Sequence, residues 1–211
     1  MPQPNPLKAA RYLRAVHLPA QLPPDEGFEV AVAGRSNAGK SSALNALCGD
    51  GKLARTSKTP GRTQQLVFFE VAAQRHLVDL PGYGYAEVPE ALRRHWRGLI
   101  DRYLRERAAL CALLLVMDIR HPLREFDRLM LDYALARGLA VRVLLTKADK
   151  LPRGRQAQSL REVQAALAGS GVAVQLFSAL RGLGLEPARG FLAEQLRLGG
   201  ADADSARAVE Q

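Results

Sequence analysis

Apolar residues along the chain recur with two periods that predict alternating strands and helices. Short apolar runs, typical of strands buried in a sheet, occupy 28–33, 66–71, 75–80, 110–117, 140–145 and 172–177. Apolar residues at helical spacing predict helices at 42–47, 89–107, 125–137, 153–168 and 186–198. This alternation indicates an α/β fold, namely a doubly wound, mostly parallel sheet of about six strands with one antiparallel strand and helices on both faces.

Both ends of the chain fall outside this alternation. Residues 7–16 predict a short helix that prolines at 19, 23 and 24 end, so 1–27 is expected to be an N-terminal extension. The alternating elements of 28–198 make one domain. The small and charged residues of 199–211 predict a disordered C-terminal tail.

The segment between the first strand and the first helix, 34–41, reads Gly-Arg-Ser-Asn-Ala-Gly-Lys-Ser. Its spacing fits GxxxxGK[ST], in which glycines let backbone N–H groups turn inward around the phosphates of a nucleotide. Lys40 is then expected to contact the β- and γ-phosphates and the Ser41 hydroxyl to ligate Mg²⁺. A Gly-rich turn with an unrelated lysine is the weaker alternative, because a strand and a helix flank the loop. The predicted nucleotide-binding residues here are Gly34, Arg35, Ser36, Asn37, Ala38, Gly39, Lys40 and Ser41.

A second polar cluster, Asp79-Leu80-Pro81-Gly82, closes the strand predicted at 75–80. An aspartate after a strand can hold Mg²⁺ through water, while the N–H of Gly82 meets the γ-phosphate. On its own a DxxG string is weak evidence, since it can equally be a turn that ends a strand. Its position at the end of a strand supports a role in the site, because ligands of such sheets bind beyond the carboxyl ends of the strands.

A third cluster, Thr146-Lys147-Ala148-Asp149, fits the [NT]KxD pattern of GTP-binding proteins. The Asp149 carboxylate would accept from the N1–H and exocyclic amine of guanine, and the stem of Lys147 would pack on the base. Adenine has no such donor pair and would leave a buried carboxylate unpaired. A solvated turn is the alternative, but the position after an apolar strand favours guanine. Ser178-Ala179-Leu180 follows the next strand.

Composition points to a polyanionic partner. The formal net charge is +9, and Lys and Arg gain affinity by releasing counterions from phosphate backbones. A basic surface that only keeps the protein soluble remains an alternative. Candidate RNA contacts, for which a solvated helix face is an equal alternative, are Arg93, Arg94, Arg97 and Arg102.

The apolar run 110–117 is too short to span a bilayer, so we expect a cytoplasmic protein without membrane insertion.

These strings together resemble the YihA (EngB) family of the TrmE–Era–EngA–YihA–septin class of translation-factor-like GTPases. The resemblance covers 28–198 and rests on the strings at 34–42, 56–64, 79–84 and 117–122. It implies a P-loop GTPase domain that binds GTP and GDP with Mg²⁺ and works as a switch. It also implies a monomer that acts with the large ribosomal subunit or its precursor and the rRNA, and whose loss disturbs cell division and septation.

The resemblance also extends the site. Thr63 would ligate Mg²⁺ in the GTP state together with Ser41, with Asp79 acting through water. Lys40, Thr63, Gly82 and Asn37 would serve catalysis, with Asn37 a K⁺ ligand as in potassium-activated relatives or, alternatively, a residue that only stabilises the turn. The string after Ala179 departs from the family pattern. Further nucleotide contacts implied are Gly61, Arg62, Thr63, Gln64, Gln65, Leu80, Pro81, Gly82, Ala148, Phe177, Ser178 and Ala179.

Two other functions remain open from the sequence. A P-loop kinase or ATPase would share the phosphate loop but has no use for the guanine motif. A nucleotide-stabilised interaction protein at the division site, with negligible turnover, is a third interpretation, since Tyr83 stands where many GTPases place a water-orienting Gln.

Overall fold

The computed structural model describes residues 4–54, 65–82 and 90–198, with the backbone alone described for 90–97. Its strands are β1 Arg11–Val16, β2 Phe28–Gly34, β3 Leu66–Ala72, β4 Arg75–Asp79, β5 Leu110–Asp118, β6 Ala140–Thr146 and β7 Ala173–Leu176. Its helices are α1 Lys40–Cys48, α2 Glu90–Glu106, α3 Glu125–Ala136, α4 Arg153–Ala166 and α5 Leu185–Gln195.

Within the described residues the strands form one seven-stranded sheet in the order β1-β3-β4-β2-β5-β6-β7. Only β3 runs against its neighbours there, because both β1 and β4 pair with it antiparallel while the remaining pairs are parallel. The predicted α/β fold with one antiparallel strand is confirmed. No described helix is long and apolar enough to cross a membrane.

The helix predicted over 7–16 is wrong, because Arg11–Val16 is an additional strand at the edge of the sheet. It pairs with β3, with Val16 opposite Leu66. Its register shifts between Tyr12 and Arg14, and such a bulge breaks the two-residue alternation that identifies a strand in a sequence. Leu13, which is partly buried, and Val16, which is fully buried, therefore lie three residues apart and imitate a helical spacing.

Both faces of the sheet are covered, and this burial explains why the sequence of the interior strand β5 is apolar without a break. Leu113, Leu115 and Met117 belong to the hydrophobic core on one face. Ala112, Leu114 and Val116 belong to the core on the other. A parallel strand buried on both faces needs apolar residues at every position.

A buried polar cluster lies at the amino end of β2. Glu29 is fully buried, and its carboxylate accepts from the Arg107 guanidinium at 2.6 Å and from the Tyr103 hydroxyl at 3.0 Å. Arg107 also donates to the carbonyl oxygens of Pro23 and Pro24 at 2.9 and 2.8 Å. The segment before β2 and the chain just after α2 are therefore bound to the same end of the sheet.

Parallel register brings the polar clusters together at the other end. Val32 of β2 stands beside Asp79 of β4, and Asp118 of β5 stands beside Thr146 of β6. Because these strands run the same way, the loops that leave their carboxyl ends share one edge of the sheet.

Candidate nucleotide site

The phosphate loop joins β2 to α1 through a backbone shape that requires glycine at two points. A Cβ on Gly34 would lie 2.7 Å from the Val116 carbonyl oxygen, so only glycine lets β2 pass β5 here. Gly39, directly before α1, has φ 94°, in the left-handed region. Asn37 is also left-handed, with φ 62°, and the Ala38 N–H donates to the Arg35 carbonyl at 3.0 Å. Such a loop at a helix N-terminus presents N–H groups to an anion.

Two charged residues of the phosphate motifs meet directly. The Lys40 ammonium, at the start of α1, forms an ion pair with the Asp79 carboxylate at the end of β4. Burial raises the pKa of Asp79, and Lys40 opposes that shift without cancelling it. The turn that follows lies against the phosphate loop, since a Cβ on Gly82 would be 3.3 Å from Cα of Ser36. The first two predicted motifs thus form one site.

Thr146 ties the guanine motif to the phosphate loop. Its hydroxyl is buried and lies 2.5 Å from the carbonyl oxygen of Ala38 and 3.0 Å from that of Met117. Threonine suits this position, because its short side chain carries a hydroxyl that can donate to either carbonyl.

Lys147 lies across the same loop. It has a left-handed backbone, with φ 57°, and its ammonium lies 2.5 Å from the Asn37 carbonyl oxygen. A Cβ on Gly39 would be 3.8 Å from Cε of Lys147, so the lysine stem passes close to the loop. The strained backbone and the contact with Asn37 together fix where this side chain points.

The last loop supports Asp149. The Ser178 hydroxyl donates to the Asp149 carboxylate at 2.5 Å and accepts from the Arg181 N–H at 3.2 Å. The Ala148 N–H donates to the Phe177 carbonyl at 3.1 Å, which joins the two loops through the backbone. Lys150 places its ammonium 3.8 Å from the second carboxylate oxygen. A partly buried carboxylate that is oriented in this way suits a guanine base.

The structure therefore brings together the predicted residues of 34–41, 79–82, 146–149 and 177–179. Gln65 lies directly before β3, and Leu80 is buried and donates its N–H to the Val32 carbonyl at 2.9 Å. The predicted residues that lie outside the described part of the chain are Gly61, Arg62, Thr63 and Gln64. Tyr83 also lies outside it, as do the side chains of Arg93, Arg94 and Arg97.

One pair of residues was not predicted to have a role. Asp118 accepts two hydrogen bonds from the Arg120 guanidinium, at 2.9 and 2.7 Å, and lies 2.9 Å from the Lys147 ammonium. Partial burial raises the pKa of Asp118, but the hydrogen bonds from Arg120 and Lys147 outweigh it and hold that pKa well below its ordinary value. The available signal was an acidic residue at the end of an apolar strand, next to the strand that carries the guanine motif.

A resident Mg²⁺ fits the donor set of this site. Ser41 lies in the first turn of α1, next to Lys40 in the sequence, and the Asp79 carboxylate forms an ion pair with that lysine. The sequence and this ion pair therefore place both oxygen donors near Lys40. Hydroxyl and carboxylate oxygens are the ligands that this hard cation takes, along with water and phosphate.

Comparisons with known proteins identify the family of this chain. The family model described as 50S ribosome-binding GTPase matches residues 29–147. The probable GTP-binding protein EngB of Stenotrophomonas maltophilia (strain K279a) is 58% identical over 195 residues, which are 91% of this chain and 98% of that protein. The probable GTP-binding protein EngB of Xylella fastidiosa (strain Temecula1 / ATCC 700964) is 57% identical over 185 residues, covering 86% of this chain and 91% of that protein.

Solved structures show the same fold. A crystal structure of a probable GTP-binding protein engB has a TM-score of 0.65 at 21% identity and covers 80% of this chain and 98% of that chain. A variant of Aquifex aeolicus Era bound to GDP.AlF4- has a TM-score of 0.60 at 20% identity, covering 79% of this chain and 56% of that chain. The family match over 29–147 and the identities above confirm the resemblance drawn from the motifs: the chain belongs to the EngB (YihA) family of GTP-binding proteins.

Proposed function

We propose that this protein is a Mg²⁺-dependent GTPase switch that binds the large ribosomal subunit or its precursor during assembly. The observation that carries the switch is the joining of phosphate and guanine motifs, since Thr146 contacts Ala38 and Lys40 contacts Asp79. In such a switch the γ-phosphate and Mg²⁺ order two loops, and hydrolysis releases them. The sequence predicts these loops at 50–65 and 82–90, of which 55–64 and 83–89 lie outside the described residues. It acts as a cytoplasmic monomer, and its effect on division and septation follows directly or indirectly.

Mg²⁺ would be held by Ser41, by Thr63 in the GTP state and by Asp79 through water. Bound there, the ion neutralises charge on the phosphates. Lys40 adds a point charge to the same oxygens. Tyr83 cannot orient water as a carboxamide does, so we propose that turnover is slow without a partner and that K⁺ near Asn37 accelerates it.

The ribosomal part of the proposal has two supports. The matching family model is described by its binding to the 50S ribosome, and the chain carries a formal net charge of +9. The RNA backbone is the polyanion such a charge suits. On α2, Arg102 is 59% exposed and donates to Glu106 at 2.7 Å. An exposed pair of this kind is weak, so a phosphate can compete for the arginine.

Sedimentation with purified large subunits in GTP, GDP or no nucleotide tests the proposal. We expect co-sedimentation with GTP, weaker association with GDP, and an affinity that falls steeply as salt rises. Removing Arg93, Arg94, Arg97 or Arg102 should reduce the slope of log affinity against log salt by about one per charge. Arg155 on α4, an exposed arginine away from this helix, is the matched control.

The same experiment has two contrary outcomes. Absence of the protein from the subunit fraction in every nucleotide state would rule out the ribosomal role. Association that is insensitive to salt would replace RNA by a protein partner.

A further inference from the structure

Lys147 is fixed at its tip by two groups from separate elements. Its ammonium lies 2.9 Å from Oδ2 of Asp118 and 2.5 Å from the carbonyl oxygen of Asn37. The strand register explains the first contact, because Asp118 at the end of β5 stands beside Thr146, the residue before Lys147. Lys147, which the guanine motif predicts to pack on the base, is thus held between the phosphate loop and the end of β5.

Asp118 is itself fully engaged. Its Oδ1 accepts from the backbone N–H of Arg120 at 3.1 Å and from Nε at 2.9 Å, and its Oδ2 accepts from Nη2 at 2.7 Å and from Lys147. A carboxylate has about four lone-pair sites, and these contacts fill them. Asp118 is 14% exposed, so neither oxygen can rotate away without losing partners.

We propose that Asp118, held by Arg120, is the positioning residue for Lys147 and that this pair sets the lifetime of bound guanine nucleotide. A lysine has a flexible four-carbon stem, so a free Lys147 would have to be ordered each time a nucleotide binds. With Asp118 in place the ordering precedes binding. The proposal concerns nucleotide binding, which family membership establishes, and is independent of any ribosomal partner.

The cavity beside the loop agrees with this arrangement. It measures ≈ 180 Å³, and its lining includes Asn37, Asp118, Arg120 and Lys147. Without the carboxylate, the ammonium would have this space in which to move. Arg120 is 44% exposed, so its contribution can be removed without opening the core.

Stopped-flow release of fluorescently labelled GDP and of a labelled, non-hydrolysable GTP analogue tests the proposal. Asp118→Ala should raise the dissociation rate constants of both nucleotides by the same factor, roughly three- to tenfold, the cost of ordering one long side chain. Asp118→Asn keeps an acceptor for Lys147 and should give a smaller increase. Arg120→Gln should move the rates in the same direction, and it decides the question if Asp118→Ala does not fold.

A double-mutant cycle separates positioning from general stabilisation. In a Lys147→Ala background, Asp118→Ala should leave the dissociation rates unchanged, because the residue through which it acts is gone. Asp101→Ala is the matched control, since Asp101 also pairs with an arginine, Arg105, at 2.7 Å but lies on α2. It should change neither rate.

Two results would overturn the proposal. One is an Asp118→Ala effect as large in the Lys147→Ala background as in the wild type. The other is wild-type release rates in both Asp118→Ala and Arg120→Gln.

Discussion

The Ser178 hydroxyl donates a 2.5 Å hydrogen bond to the Asp149 carboxylate. This contact joins the loop after β7 to the loop after β6, and Ser178 is itself fully buried. A buried hydroxyl that holds one carboxylate oxygen restrains the orientation of the whole carboxylate group. Asp149 therefore presents a fixed acceptor, as recognition of paired donors on a purine requires.

Asp149→Asn should lower GDP affinity by about a hundredfold or more, since it removes one partner of a charge-assisted, partly buried pair. The carboxamide offers an acceptor and a donor in place of two acceptors, which suits xanthine better than guanine. Calorimetric titration with GDP and XDP measures both effects. Asp132→Asn changes an exposed carboxylate on α3 and should alter neither affinity. Unchanged GDP binding in Asp149→Asn would remove Asp149 from the base site.

Lys40→Ala should abolish tight binding of GTP and weaken GDP less, because the lost charge faces the β- and γ-phosphates. The ion pair with Asp79 gives this variant a second effect. Burial already raises the pKa of Asp79, and loss of the lysine should raise it further. Binding of labelled GTP and GDP, with thermal unfolding as a check on folding, measures the outcome. Equal losses for the two nucleotides would place Lys40 away from the γ-phosphate.

A feature of the fold or of the site can be predicted from the sequence when the residues that determine it lie in one continuous stretch of the chain. The phosphate loop and β5 were readable because each depends on a continuous string, a glycine pattern or an unbroken apolar run. The bulge between Tyr12 and Arg14 was not readable, since it exists only once β1 pairs with β3. The role of Asp118 was hidden for the same reason, because its contact with Lys147 arises from the register of β5 against β6.

His76 should make folding stability depend on pH. It is 7% exposed, and burial lowers its pKa below the ordinary 6.5, while Glu29 and Glu70 act in the opposite direction. The unfolded chain therefore binds a proton at this residue at higher pH than the folded chain does, so stability is lost as pH falls below 6.5. Denaturant unfolding at several pH values should show this fall in wild type and a flatter profile in His76→Gln. Parallel profiles would assign the pH dependence to other groups.

Arg107→Ala should destabilise the protein by about 3–5 kcal/mol, because it leaves the fully buried Glu29 carboxylate without its cation. The carbonyl groups of Pro23 and Pro24 also lose their donor. Denaturant unfolding measures the loss. Arg105, whose side chain is 63% exposed, pairs with Asp101 on the surface. Arg105→Ala should therefore have little effect on the free energy of unfolding. Similar stabilities for the two variants would show that the buried cluster is not the stronger support.

Asn37 offers a test of how hydrolysis proceeds without a Gln after Gly82. We expect GTP turnover to rise when Na⁺ is replaced by K⁺ at constant ionic strength, if the Asn37 side-chain oxygen helps hold the cation beside the phosphates. The structure also supports a second role for Asn37, which is to stabilise the turn of the phosphate loop. Its φ of 62° favours Asn or Gly, and its carbonyl oxygen accepts from Lys147.

The choice of variant separates these two roles. Asn37→Ala removes the side-chain oxygen but also strains a left-handed backbone, so its effects would be mixed. Asn37→Gly keeps that backbone conformation and the carbonyl contact with Lys147 while removing only the side chain. It should therefore abolish the K⁺ response and leave GDP affinity nearly intact. Identical turnover in K⁺ and Na⁺ for wild type, with and without ribosomal subunits, would leave Asn37 a structural residue. The charge that stabilises the transferring phosphoryl group would then have to come from the ribosome.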